Sequence, residues 1–397
     1  MTNTVKLLLA NGTFHFARMF SGAIFVIYLL GQNVSLATIA FSKAVQLVVT
    51  GLFMVPSGMF ADKCGRKNSI LIACISGALY YALLIRPTPS TVVVGEAFNG
   101  IALAFYAGAF ESWLFSNVNH NDSFLLNKQL ARAREISYLG MVLAGVIGSL
   151  LVSWAFSLSL IIIVIAFLLF LFSDENRIIA TQNKTLAFRV LFKQSLCSLS
   201  ANRISAYVAL AGICCMGFMQ LVYQFWQPFF TNFSEIKIGP TELGLIFAAF
   251  MLAQYAVSWF TRTFLLKHSE QIVERIGWVW GLAGIALLVT VGTTTYPAVC
   301  LIAFCLFQGM VASGGTLLTA LAGQMIDKNI QSTTFSVIEL GGRCLGAILL
   351  FMGSGIIASA KFFFGWPLVG VVLLALAINA LLWRKDHVYR ASESAGI

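Results

Sequence analysis

The chain has 397 residues, 59% of them apolar and only 10% charged, with a mean hydropathy of +0.88. A soluble domain carries about a quarter charged residues, so a soluble fold of this composition would lack the polar surface to cover its core. The net charge of +10 is distributed over short loops between apolar runs, which excludes nucleic acid as an expected partner and points to the lipid bilayer instead.

Crossing a hydrocarbon layer takes roughly 20 helical residues, and runs of that kind recur along the chain. His15 and Arg18 interrupt the first, and no small-residue cleavage site follows, so residues 12–31 read as a retained helix, not a signal peptide. The chain turns at Gly31-Gln32-Asn33 into a second helix (36–60) with Pro56 near its end. A third (69–86) stops before Pro87 and Pro89, and a fourth covers 90–117. A polar loop, Asn117 to Gln129, leads to a fifth helix (133–155) and an almost wholly aliphatic sixth (158–173). Composition then changes: Ser173 to Ser205 holds Asp174, Glu175 and five cations, with Leu186, Val190 and Leu191 at helical spacing. This predicts a linker that is partly an amphipathic helix at the membrane surface. Six further helices are expected at 205–231, 240–262, 274–292, 296–325, 331–358 and 362–383, with a short polar tail after Arg384.

Of the 25 Lys and Arg, 19 fall on one predicted side of the membrane, three on the other (Arg86, Lys237, Lys361) and three inside helices (Arg18, Lys43, Arg343). By the positive-inside rule both termini are cytoplasmic and the span count is even; twelve satisfies it. Helices five and eleven share a pattern: Leu139-Gly140, Gly145 and Ile147 recur as Leu340-Gly341, Gly346 and Ile348. Phe98-Asn99-Gly100 recurs likewise as Phe307-Gln308-Gly309. Two parallel six-helix halves are a transporter arrangement. The expected fold is therefore an all-α polytopic membrane protein: an N-terminal six-helix lobe (1–173), a cytoplasmic linker (174–204), and a C-terminal six-helix lobe with its tail (205–397).

Between the second and third helices lies Gly58 to Lys67, GMFADKCGRK. It resembles the loop motif G-x-x-x-D-x-x-G-R-[RK] of the major facilitator superfamily, with Gly58, Asp62, Gly65, Arg66 and Lys67 at every fixed position. The resemblance implies that family's twelve-helix fold, with two six-helix lobes about a pseudo-two-fold axis and helices 1, 4, 7 and 10 around a central cavity. It also implies that Asp62 latches onto the start of the eleventh helix, near Gln331 to Thr334, favouring an outward-open state. Two departures stand out. The antiporter motif G-P-x-x-G-G has no proline here, where the chain reads Ala144-Gly145-Val146-Ile147-Gly148-Ser149. A second pattern, E-x-P-[TS]-G-x-x-A-D, is matched by Pro56, Ser57, Gly58, Ala61 and Asp62, but Met54 replaces its acid.

Ionisable groups inside a bilayer are costly and rarely idle. Here they are His15, Arg18, Lys43, Glu96, Glu111, Glu339 and Arg343. Helix direction places Arg18 at the depth of Glu111, and Lys43 at the depth of Glu96. Glu339 and Arg343 lie four apart on one helix and can pair locally. Each pair has a structural reading, a salt bridge fixing helix register, and Lys43 and Glu96 can also snorkel to water. The functional reading makes Glu111 the proton-coupling acid and Arg18 its partner. In the seventh helix Gln220, Tyr223, Gln224 and Gln227 fall on one face, either a hydrogen-bonding wall for substrate or a helix–helix contact.

The eight cysteines show no CxxC pair and are expected to pack as small apolar residues; no disulfide framework, metal site or cofactor is expected. No Walker motif, HExxH or GxSxG occurs, and no charged ring or repeated pore loop suggests a channel. The sequence predicts a monomeric secondary transporter of the bacterial inner (plasma) membrane, not an enzyme. Its expected activity is export of a small organic or drug-like molecule by antiport with a proton gradient. The alternative is proton-coupled uptake of a small metabolite.

Overall fold

A computed structural model describes residues 3–107, 109–116, 123–175, 188–200, 203–231, 238–265, 271–325, 331–357 and 365–394. Fifteen α-helices and no strand occur among them. The first eight are α1 (Asn3–Gly22), α2 (Phe25–Gly31), α3 (Leu36–Cys64), α4 (Arg66–Leu84), α5 (Pro89–Tyr106), α6 (Ala109–Ser116), α7 (Ser123–Leu150) and α8 (Ala155–Leu171). After α9 (Phe188–Ser200) come α10 (Arg203–Thr231), α11 (Pro240–Phe260), α12 (Ile272–Gly292), α13 (Pro297–Met325), α14 (Gln331–Ile357) and α15 (Gly365–Ser394).

The protein is an all-α polytopic membrane protein. Nine described helices are long and apolar enough to cross a membrane, and α1 with α2, bent by 42° at their break, brings the number to ten when the pair is counted as one span. Of the two further spans expected, 90–117 falls short of that measure for a physical reason, and 133–155 is measured only over its described residues. α5 carries Glu96 and Asn99 and stops at Ala107, whose backbone is extended (φ −60°, ψ 130°). α7 starts earlier than expected and takes in Lys128, Arg132 and Arg134, and its apolar stretch among the described residues is Ile136–Leu150.

Other boundaries also differ. α1 starts at Asn3 and the first span breaks after Gly22, where a single helix over 12–31 was expected. The polar stretch Asn117 to Gln129 is a loop only in part, because residues 123–129 form the first turns of α7. The tail after Arg384 is helical through Ser394. The linker does contain a helix, α9, although Leu186 lies outside the described residues.

Local chemistry explains the sharp ends. Ser35 caps α3 by accepting from the Thr38 N–H at 3.1 Å. Thr88 and Thr91 form a reciprocal capping box at the start of α5, with Pro89 in the first turn. Gly65 ends α3 and begins α4 with φ of 101°, a backbone region that residues with a Cβ rarely adopt.

The fold divides into two compact units. The first comprises Met1–Asn183, Gln224–Ala248 and Ala347–Ala360; the second comprises Lys184–Tyr223, Ala249–Gly346 and Lys361–Ile397. Thus α10, α11 and α14 contribute to both. In the first unit α1 packs on α7 and α8, α4 on α5 and α8, and α3 on α5. Its core is aromatic: Phe14 stacks on Tyr106 at 3.9 Å, and Tyr106 on Phe110 at 5.7 Å. A buried polar chain runs through it, from the Tyr106 hydroxyl to Asn11 Oδ1 (2.6 Å) and from Asn11 Nδ2 to Ser137 Oγ (2.8 Å). This chain ties α5, α1 and α7 together without an unsatisfied group. In the second unit α12 packs on α13 and α15, and the Trp366 indole N–H donates to the Leu221 carbonyl at 3.2 Å.

The repeat seen in sequence has a packing reason. A Cβ on Gly100 of α5 would lie 2.7 Å from the Gln46 carbonyl of α3, and one on Gly309 of α13 would lie 2.7 Å from Val257 of α11. Each half uses a glycine to bring two helices together, as expected where membrane helices cross closely. The residue before each glycine then makes a buried polar contact: Asn99 in α5, and Gln308 in α13, which accepts from Gln254 of α11 at 3.1 Å.

Candidate functional site

The Gly100 crossing sets the geometry of the main polar site. With α3 and α5 this close, Lys43 and Glu96 meet across the helices with Nζ and Oε1 2.7 Å apart. Asn99 donates to the second carboxylate oxygen at 2.9 Å, so both oxygens are occupied. The Lys43 ammonium also stands over the Phe25 ring, 4.1 Å from its centroid, a cation–π contact. Glu96 is 0% exposed and Lys43 8%, so neither snorkels to water. The pair expected from helix depth is formed, and it is buried.

Arg18 of α1 is half-buried. Its guanidinium and the Glu96 carboxylate both act electrostatically on Tyr80 and Tyr81 of α4. Two cations, one carboxylate, an amide and two phenols thus share one region of the first unit. Isolated buried charges cost many kcal/mol, and only close pairing with full hydrogen bonding offsets that. Asn99, Tyr80 and Tyr81 were not picked out from sequence; an amide three residues from a buried acid on one helix is the signal that was available. Glu111 lies on α6, but its side chain is outside the described residues, as is any contact with Arg18.

The predicted polar face of α10 has unequal members. Gln227 is 3% exposed and fills the break between α1 and α2. Its Oε1 accepts from the Val26 N–H at 2.9 Å and from the Ile27 N–H at 3.3 Å, while its Nε2 donates to the Gly22 carbonyl at 3.0 Å. One side chain therefore serves the carbonyl end of α1 and the amide end of α2, backbone groups that a helix break leaves unpaired. Trp226 packs near Phe247, 6.1 Å between centroids. Gln220 donates to the Met216 carbonyl of its own helix at 3.5 Å, and Tyr223 is 41% exposed. Gln224 is half-buried.

Glu339 and Arg343 form the expected ion pair along α14. At the loop motif, Glu175 does something the sequence did not signal: its Oε1 accepts from the Arg66 N–H at 2.7 Å, capping α4. An anion there meets the positive end of the helix dipole. Lys67 donates to the Ser173 carbonyl at 3.0 Å, and the Trp113 indole to the Asp174 carbonyl at 3.3 Å. The segment after α8 is thereby fastened onto the Gly65 turn. Gly58 lies in α3 with no atom near its would-be Cβ. The side chains of Asp62 and of Gln331 to Thr333 lie outside the described residues, and the expected latch with them. Among the described residues no group of three His, Cys, Asp or Glu side chains is placed to hold a metal ion.

Comparison with known proteins agrees with the fold. The family model described as Major Facilitator Superfamily matches residues 7–235. An uncharacterized MFS-type transporter of Bacillus subtilis (strain 168), YxaM, is 24% identical over 241 residues, a match spanning 57% of this chain and 57% of that protein. The crystal structure of a mutant of the nucleoside transporter NupG superposes with a TM-score of 0.81 at 12% identity, covering 96% of this chain and 99% of that one. The POT family transporter PepTSo gives 0.73 at 11% identity, covering 98% of each chain. A D-xylose-proton symporter gives 0.68 at 12%, covering 94% of this chain and 96% of that one.

Proposed function

Because the chain belongs to the major facilitator superfamily, we propose that it is a secondary active transporter working by alternating access, exporting a small organic molecule in exchange for protons. The Lys43–Glu96 pair carries this reading: an ion pair 2.7 Å long with a fully buried carboxylate. Such groups in a membrane span mark proton and substrate pathways. While Lys43 and Asn99 hold Glu96, the carboxylate is stable as an anion. A shift of α3 against α5 that withdraws Lys43 leaves a dry, unpaired carboxylate, which binds a proton rather than remain charged. Return of the ammonium expels that proton. A carboxyl that loads in one state and unloads in the other is what coupling requires, and Arg18 biases it through its field.

In this reading Glu111 is a second relay acid, and Gln220, Tyr223 and Gln224 contact substrate. Gln227 braces the first span, Asp62 latches the cytoplasmic face, and Glu339 with Arg343 sets the charge of α14. The protein works as a monomer in the plasma membrane of a bacterium, both termini cytoplasmic, with the proton gradient as energy source and no bound cofactor.

Uptake by proton symport is the second reading. The missing proline in Ala144 to Ser149 and the shared fold of a D-xylose-proton symporter favour it. Everted vesicles with an acid lumen and a pH-sensitive dye decide between them, using nucleosides, dipeptides, pentoses and lipophilic amines as probes. Export by antiport makes an added substrate alkalinise the lumen. Symport instead requires an outward substrate gradient to drive protons out with it. Substrate movement indifferent to the gradient in both assays would remove proton coupling altogether.

A further inference from the structure

We propose that Arg18 anchors the carboxylate of the compound this protein carries, which makes that compound an organic monoanion. The ligand's role as cargo rests on the transport reading above, while the anion site rests on the first unit alone. His15, Arg18 and Gly22 fall on one side of α1, at i, i+3 and i+7. His15 meets the Tyr106 ring of α5 edge-on, 5.7 Å between centroids, and Gln227 of α10 reaches the Gly22 carbonyl. All of these residues belong to the first unit. Arg18 lies between the two contacts, on the interior side of α1, whereas the exposed Val5 and Leu9 lie about 140–180° round the helix. Its half-buried surface therefore faces space between helices, not lipid.

The ligand's chemistry follows from three observations. First, no ion pair or hydrogen bond reaches Arg18 among the described residues. Its field acts on His15, Tyr80 and Tyr81, an imidazole and two phenols. Second, the carboxylate of this region, Glu96, is already taken, because Lys43 and Asn99 hold its two oxygens. Two described cations, Lys43 and Arg18, thus stand against one carboxylate, with one positive charge in excess. Such a charge is costly within a membrane span, and an anion at Arg18 offsets it. Third, the unmet group is a guanidinium, whose planar fork fits a carboxylate with two parallel hydrogen bonds. A phosphate monoester carries about −1.5 to −2 at neutral pH and would overshoot the single excess charge. A monocarboxylate balances it.

The test uses the full chain in phosphatidylcholine nanodiscs at constant ionic strength. Acetate, lactate and benzoate are the probes, each compared with its amide, and phenyl phosphate is the dianion control. Thermal unfolding is the readout, because a ligand of the folded state raises the unfolding temperature. At least one acid should raise it saturably while its amide does not. Arg18→Met keeps the length and removes the charge, so it should weaken that acid about ten- to a hundredfold, the range a charge-assisted hydrogen bond supplies. Without ligand, Arg18→Met should unfold no lower than the native protein, since Arg18 gives up no partner. Arg18→Lys keeps the charge without the fork and should bind between the two. Acids and amides acting alike on native protein would overturn the site, and that comparison needs no variant to fold. So would an acid effect undiminished in Arg18→Met, or a ligand-free Arg18→Met protein much less stable than native, which would reveal a structural partner. Phenyl phosphate bound more tightly than benzoate would overturn the monoanion. These arms need neither a gradient nor transport, so they are decided apart from the transport reading. In proteoliposomes the acid that binds should exchange with its labelled form, and binding without exchange would overturn its role as cargo.

Discussion

Lys43 and Glu96, 53 residues apart in sequence, form an ion pair whose carboxylate has no exposed surface. Removing one member leaves the other as a buried, unpaired charge, which costs about 3–5 kcal/mol. Removing both with apolar residues of similar volume is often close to neutral. Glu96→Gln should therefore lower the unfolding temperature sharply, and adding Lys43→Met should restore much of it. Both proteins should lose dependence on the pH gradient. Restored stability together with native gradient dependence would show the pair to be a structural brace only.

The crossing that makes this pair is the next target. A Cβ on Gly100 would sit 2.7 Å from the Gln46 carbonyl and 3.1 Å from Val49. Gly100→Ala forces α3 and α5 apart, an overpacking change that costs about 1–3 kcal/mol. It should also weaken gradient-driven transport, because Lys43 and Glu96 sit on the two helices being separated. Unfolding temperature and coupled flux, measured on the same preparation, should fall together.

Gln227 serves three backbone groups at once. Gln227→Met keeps the length and removes every one of those bonds, at about 1–3 kcal/mol for each buried group left unmet. Gln227→Glu retains the acceptor for Val26 and Ile27 and, neutral and protonated at this buried site rather than charged, exchanges the amide donor to Gly22 for a hydroxyl. Thermal unfolding should rank native above Glu above Met. The reverse order of the two variants would mean that the acceptor bonds contribute little.

Two glycines of the loop motif should behave oppositely. Gly65 has φ of 101° and its would-be Cβ lies 2.9 Å from Glu175, so Gly65→Ala should destabilise by about 1–2 kcal/mol. Gly58 sits inside α3 with open space around it, so Gly58→Ala should be neutral or stabilise by up to about 1 kcal/mol. Glu175→Ala should cost about 0.5–2 kcal/mol through the lost cap on α4. Chemical denaturation of the three variants checks all of this.

Much of this was legible in the chain. Long apolar runs placed most spans, and counting helix depth paired Lys43 with Glu96, because charges in an apolar run are few and their depth follows from chain direction. What escaped were features set by distant residues. No proline marks the break after Gly22; its bonding partner is 205 positions away. The early start of α7 escaped too, because its first ten residues interleave polar and apolar side chains and carry no continuous hydropathy signal. Glu175 looked like one linker acid among several, since nothing local reveals that it caps a helix 109 residues earlier. The face of α10 was read from periodicity, which identifies a shared side of a helix but not what each residue meets there.

The broken first span has a consequence for how the protein is made. When α1 and α2 enter the bilayer, the Gly22 carbonyl and the Val26 and Ile27 amides have no partner within their own span, and Gln227 has yet to be synthesised. Unpaired backbone groups are not tolerated in hydrocarbon, so the nascent chain must bridge the interval by other means: a straight helix through Ala23 and Ile24, a water, or shelter inside the insertion machinery. The bend with the bonding seen in the finished protein is thus complete only when α10 arrives. A chain truncated before residue 227 should carry a straighter first span than the whole protein.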